Sequence, residues 1–230
     1  MRDRTQMSAA TVGVGVSTRQ SAAHTRQQVI EATVELLEEQ GARGLTVIAI
    51  MERAGISRTA FYRQFADVYA VVGELLTRIA ERLAAEAAPW FRDPDAVGSV
   101  DVIVPNAVRS ARVLKPFAKQ VRAIVDAAGF DETLRALWRD GVVQARIDAT
   151  AWAIRRNQAA GAVRPTVDAE TSAMAMILMA EQVALEILGR QDGSPEQYAQ
   201  IIGPIWESVL FGTHQIEDAR IAALDHEDVV

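Results

Sequence analysis

The sequence predicts an all-α protein with a three-helix head followed by a body of roughly six helices. Three observations predict this. Apolar residues recur at three- and four-residue spacing along most of the chain, and no stretch alternates apolar and polar residues as a half-buried strand would. Glycine or proline punctuates the ends of the periodic segments, at Gly41, Gly55, Pro89, Pro116, Gly129, Gly161, Gly189, Pro195 and Gly212. Hydrophobic residues make up 50% of the 230 positions, enough for a substantial core.

Residues 1–23 are rich in Ser, Thr, Gly and Arg and lack a long apolar run, so they read as a disordered arm rather than a signal peptide. Arg2, Arg4, Arg19 and Arg26 can touch phosphates from there or simply be solvated. The first helix spans His24 to Gln40 on Val29, Ile30, Thr33, Val34, Leu36 and Leu37, and Gly41 stops it. Glu31, Glu35, Glu38 and Glu39 on it look like an exposed acidic face.

Residues 46–65 then read as two short helices joined by a sharp turn. Thr46 is a good N-cap, and Val47, Ile50, Met51 and Ala54 make one apolar stripe. Gly55 supplies the turn, Ile56 can plug the angle, and Ser57 can cap the second helix. Phe61 and Phe65, four apart, point inward. The outward face carries Arg58, Thr59, Ala60, Tyr62, Arg63 and Gln64. That is how a helix-turn-helix addresses duplex DNA: arginine grips guanine in bidentate fashion, while hydroxyls suit phosphate oxygens. Thr46, Ser57, Arg58, Thr59, Ala60, Tyr62, Arg63 and Gln64 are the candidate DNA-binding residues.

The body follows helix by helix. Asp67–Ala88 is built on Val71, Val72, Leu75, Leu76, Ile79 and Leu83 and ends at Pro89. Val97–Leu114 is expected to bend or break near Pro105. Pro116 opens a segment to Ala128, a long helix runs from Asp131 to Ala160, and another runs from Thr166 or Asp168 to Leu188. Ser194-Pro195-Glu196 starts the last, which ends at Gly212. The expected domains are thus an arm at 1–23, a helix-turn-helix DNA-binding domain at 24–66, a body at 67–213 and an acidic tail at 214–230.

Three helices of these lengths in this order resemble the N-terminal domain of the TetR family of bacterial transcriptional regulators. The matching residues are Ile30, Ala32, Leu36, Leu37, Gly41, Thr46, Val47, Ile50, Ala54-Gly55-Ile56-Ser57, Phe61-Tyr62 and Phe65, over about 25–75. The family usually has alanine where Met51 sits, and lysine where this chain has Val68; the second change predicts weaker backbone anchoring. Asp67 can still cap the next helix. With few donors on Ala60 and Gln64, base reading falls mainly on Arg58 and Arg63.

The resemblance implies a ligand-binding and dimerisation body whose last two helices pair with those of a twin. Their wide apolar coverage agrees: Met174, Ile177, Leu178, Val183, Leu185, Ile187 and Leu188, then Ile201, Ile202, Ile205, Val209 and Leu210. Two recognition helices on a two-fold axis read a palindromic operator. Residues 134–212 look more like one subgroup, the actinobacterial regulators of ethionamide activation, through Leu137-Trp138, a long helix to Gly161, Met179 with Glu181, Ile205-Trp206 and Gly212. That subgroup's long apolar tunnel implies that Trp138, Val142, Ala145, Ala149, Ile177, Ala180, Leu185 and Trp206 face a ligand here. Trp90, Phe117 and Trp152, from an aromatic set that can line a cavity or be ordinary core, and Glu181 complete the candidate ligand-binding residues. The subgroup's amide side chains are replaced by Ile177 and Ala180, so its amide hydrogen bonds do not carry over.

Composition narrows the function classes. The net charge of −6 argues against a uniformly basic coat, yet residues 40–65 hold Arg43, Arg53, Arg58 and Arg63 against Glu52 alone. There is no cysteine, no glycine-rich phosphate loop and no metal-ligand spacing, and His24, His214 and His226 lie near the chain ends. Neither a catalytic site, a metal nor a cofactor is expected. No segment is read as long and apolar enough for a membrane span. The expected protein is a cytoplasmic homodimer that binds double-stranded DNA and a small apolar effector. A ligand carrier that has lost DNA binding, or an activator, is the alternative.

Overall fold

The computed structural model describes residues 7–92 and 103–212, with side chains at 21–87 and 103–212. Among them the chain is helical throughout, with no strand. The helices are α1 (Met7–Gln40), α2 (Val47–Ala54), α3 (Arg58–Gln64), α4 (Val68–Arg92), α5 (Ile103–Leu114), α6 (Ala118–Ala128), α7 (Glu132–Trp138), α8 (Gln144–Ala159), α9 (Ala169–Leu188) and α10 (Pro195–Phe211).

Most boundaries follow local chemistry. The Thr46 side chain accepts from the Ala49 amide at 3.1 Å and that of Ser57 from Ala60 at 3.2 Å. Asp67 caps α4 by accepting from Ala70 at 2.8 Å, Asp131 caps α7, and Asp168 caps α9. Ser194 and Gln197 form a reciprocal capping box at the start of α10. Between α2 and α3, Gly55 takes φ 65°, ψ 33°, the left-handed conformation that lets the chain turn without a Cβ clash.

Five expectations are corrected. Helix α1 begins at Met7 instead of His24, so the segment read as a disordered arm is helical from Met7 onward. No proline interrupts it, and each residue added to a nucleated helix gains a bond. Helix α4 does not stop at Pro89 but runs to Arg92. Pro105 breaks nothing, because it is the third residue of α5, in the first turn, where an amide lacks a helical partner anyway. The long helix from Asp131 is divided: α7 and α8 are joined by a π-helical turn at Arg139–Val143. Finally, α9, 20 residues long with a stretch of mean hydropathy 1.4, does meet the length and apolarity of a membrane span. Its inner face accounts for part of this: Ala173, Met176, Ile177, Ala180, Ala184, Leu185 and Leu188 are buried where α9 packs on α8 and α10, while 39% of its most apolar stretch is buried in all. The acidic segment 214–230 lies outside the described residues.

One continuous apolar cluster runs from Val29 in the head to Leu210 in the last helix. In the body α5 packs closely along α10, where a Cβ on Gly203 would stand 2.5 Å from a Val104 methyl. Helix α4 touches both halves, α1 on one side and α5, α7 and α8 on the other.

Candidate functional site

The head folds because its three helices share Val29, Ile30, Leu36, Leu37, Ile50, Phe61 and Phe65, all buried. With Phe61 and Phe65 turned inward, α3 must turn its other side outward. Arg58, Thr59, Tyr62 and Arg63 are exposed there, together with the caps Thr46 and Ser57, while Ala60 and Gln64 are half-buried. The Arg58 guanidinium lies 5.4 Å from the Tyr62 ring centre, so these two side chains form one cationic, aromatic surface. Met51 is half-buried against the core, as is Val68 at the first position of α4.

The basic face is narrower than composition implies. Arg53 donates to Glu35 at 3.0 Å and to Glu39 at 2.6 Å, which locks α2 onto α1 and holds the Glu39 carboxyl below its ordinary pKa. Arg43 stacks on Phe130 at 5.3 Å, in an open cleft between head and body. The acidic stripe on α1 is therefore a packing surface as well as a solvated one. Glu38 likewise accepts from Lys119 at 2.6 Å and Gln120 at 3.3 Å, both on α6.

Arg26 lies on α1 and is engaged within the fold. Its guanidinium donates to both carboxylate oxygens of Glu74 on α4, and at 2.9 Å to the Gln64 carbonyl at the end of α3. It also lies 4.4 Å from the Phe65 ring centre. Arg78 extends the joint, donating to Glu74 at 2.7 Å and to Gln27 at 2.8 Å. These cations, Arg26 first, keep the Glu74 carboxyl below its ordinary pKa. At the start of α4 the Tyr69 hydroxyl donates to Asp131 at 2.9 Å, tying the same helix to α7. Helices α3, α1 and α4 and the body are thus joined through one set of side chains.

In the body a cavity of about 400 Å³ opens between α4, α5, α8, α9 and α10, within the size range of small-molecule sites. Of the twelve candidate ligand residues, Val142, Ala145, Ala149, Trp152, Ile177 and Trp206 line it. Trp138, Glu181 and Leu185 instead border a much smaller recess against α6, where the Trp138 indole N–H donates to Glu181 at 2.6 Å. Phe117 borders a separate groove between α1 and α4. Ala180 is fully buried in none of these walls, and the Trp90 side chain lies outside the described residues.

Eight further wall residues escaped the sequence reading: Ala80, Leu83, Ala84 and Ala87 on α4, Asn106 and Ser110 on α5, and Arg146 and Thr150 on α8. Asn106 could have been found. It falls three residues after Ile103 and one before Ala107, on the apolar face of α5, where a polar side chain is unexpected. It is 8% exposed, and its side-chain oxygen has no hydrogen-bond partner. Among the described residues no cluster of His, Cys, Asp or Glu could hold a metal ion.

Comparison with known proteins gives two family matches. Residues 29–75 match the model for bacterial regulatory proteins of the tetR family, and residues 110–212 match that for the C-terminal domain of the transcriptional regulator EthR. The chain is 28% identical over 150 residues, 64% of its length and 72% of the relative's, to the uncharacterized HTH-type transcriptional regulator YdeS of Bacillus subtilis (strain 168). A Rhodococcus sp. structure assigned to the TetR-family transcriptional regulators superposes with a TM-score of 0.63 at 20% identity, covering 82% of this chain and 99% of the other. The SmeT–triclosan complex superposes with a TM-score of 0.67 at 19% identity, covering 81% and 91%.

Proposed function

This chain belongs to the TetR family of bacterial transcriptional regulators, with a DNA-binding head and a ligand-binding C-terminal domain, and on that premise we propose that it is a cytoplasmic homodimeric repressor released from a palindromic operator by a small apolar effector. The observation that carries this reading is the outward display of Arg58, Thr59, Tyr62 and Arg63 on a capped helix whose Phe61 is fully buried. Residues 24–66 are the reading domain and 67–213 the sensing and pairing domain. In each subunit Ser57–Gln64 enters a major groove, with Thr46 and Ser57 against phosphates and Arg58 and Arg63 on bases.

Dimerisation through α9 and α10 draws support from Met174, Ile201 and Ile205, which remain 44%, 40% and 40% exposed although each is large and apolar. Ile201 and Ile205 lie four apart on one face of α10. Effector release draws support from α4, which lines the cavity at Ala80, Leu83, Ala84 and Ala87 and holds the head through Glu74. Filling the cavity shifts α4, changes the separation of the two heads and takes the second one out of register. A coupling of about 1–3 kcal/mol is the usual size for such communication. The chain then acts by binding rather than by turnover.

Selection of fragments of the source genome by the purified protein at near-physiological salt tests the reading. A recovered palindrome supports it, and Arg63→Ala should then weaken binding by about 1–3 kcal/mol and relax base preference. A transcription assay on the recovered promoter separates repressor from activator. A second reading, a ligand carrier without DNA binding, is favoured by Val68, which offers no cation at the start of α4. No enrichment over random fragments would select it.

A further inference from the structure

The wall of the body cavity is asymmetric in charge. Ten of its fourteen lining residues are apolar, three are neutral and polar, and Arg146 is the one charged residue among the described ones. Arg146 is half-buried and makes no ion pair with any described carboxylate. It stands between the cavity and the small recess that holds Glu181, and Glu181 is engaged by the Trp138 indole instead. Thr150 lies four residues further along α8, so the two share a face, and Asn106 and Ser110 make a similar pair on α5.

Arg146 brings a positive charge with no ion-pair partner to a wall that is otherwise apolar or neutral, and a ligand carboxylate can supply both charge and acceptors in bidentate geometry. A cationic ligand would meet Arg146 with no described carboxylate in the wall to offset it. The buried Asn106 amide, with an unpartnered oxygen, adds a second polar point; rotated about its last bond it presents a donor instead.

We propose that the effector is an anionic amphiphile, an aliphatic or aromatic body carrying a carboxylate, whose head is held by Arg146 and whose tail lies among Leu83, Val142, Ala149 and Ile177. This rests on the reading of the cavity as the effector site. It differs from an apolar tunnel ligand in one measurable respect: the charge of the head group sets affinity.

The test uses the full chain and three probes of equal tail length, kept below micelle-forming concentrations: dodecanoate, dodecan-1-ol and dodecylammonium. Binding is followed by calorimetry. Dodecanoate should bind about tenfold tighter than the alcohol, with the ammonium weakest, since a charge-assisted hydrogen bond is worth roughly twice a neutral one and each 1.4 kcal/mol is about tenfold. Arg146→Gln should weaken dodecanoate far more than the alcohol and so erase the acid's advantage, and Arg146→Lys should keep the order. If the alcohol binds wild type and the acid gains nothing, or if Arg146→Gln keeps the acid's advantage, the proposal is overturned while the cavity stands. If none of the three binds, the effector-cavity reading fails with it.

Discussion

Arg26 offers the sharpest test of how the head is held. Replacing it with alanine removes two donors from Glu74, one from the Gln64 carbonyl, and the stacking on Phe65. Hydrogen bonds to charged groups are worth about 1.5–3 kcal/mol when sheltered, but the Arg26 side chain is 37% exposed, which moves the pair toward the ~1 kcal/mol of surface ion pairs. Arg78 remains to neutralise Glu74, so no charge is stranded. Adding about 0.5–1 kcal/mol for the cation over the ring gives a loss of roughly 2 kcal/mol. For a chain of this size that corresponds to a fall in Tm of about 4–8 °C. The assay is thermal unfolding of wild type, Arg26→Ala, Glu74→Ala and the double variant. The cycle should return a coupling of about 1 kcal/mol or more between the two positions. A coupling near zero, or a Tm within 1 °C of wild type for Arg26→Ala, would refute the idea that this joint fastens α3 and α1 to α4.

Three more outcomes are expected. The carboxyls of Glu39, Glu74 and Asp131 titrate below their ordinary values of 4.5, 4.5 and 3.8, so their stabilisation is complete above those values and lost as pH falls through the lowered ones. Acid unfolding monitored by circular dichroism should therefore deepen below about pH 4, and Glu74→Gln should flatten that limb. Gly203→Leu should destabilise the body by about 1–3 kcal/mol in urea unfolding, because even a Cβ collides with Val104 where α5 meets α10. Ile201→Glu with Ile205→Glu should convert the dimer to monomer in sedimentation while leaving helicity unchanged; an unaltered dimer would move the interface elsewhere.

The head was legible because its signals are local. Thr46, Gly55 and Ser57 act on their own turns, and the Phe61–Phe65 spacing orients α3 whatever else the chain does. The joint at Arg26 was not, because its partners stand 38 and 48 residues away and nothing near Arg26 announces them. The same distance effect removed Arg53 and Arg43 from the basic face, leaving Arg58 and Arg63. In the body, helices and caps were readable from Pro116, Asp131, Asp168 and Ser194, but the cavity wall was not. Its α4 contribution consists of three alanines and a leucine, residues whose small size makes room and leaves no chemical mark. Trp138 illustrates the converse: a large ring in the right helix, turned to Glu181 and the recess.

The π-helical turn at Arg139–Val143 explains that last point and has a consequence for how such a cavity changes. A π turn accommodates one residue more than an α turn, and each residue of helix advances the phase by about 100°. Side chains before the turn and after it are therefore clocked differently about a nearly common axis. Trp138 addresses one chamber, while Val142, Ala145 and Ala149 address another. Loss of a single codon at Gly141 would let the turn close as ordinary α-helix while the side chains on either side kept their places, because the π turn is what absorbs the extra residue. In a lineage of such proteins the cavity wall can therefore persist through insertion or deletion at this one point, with the numbering beyond it shifted and the chamber unchanged.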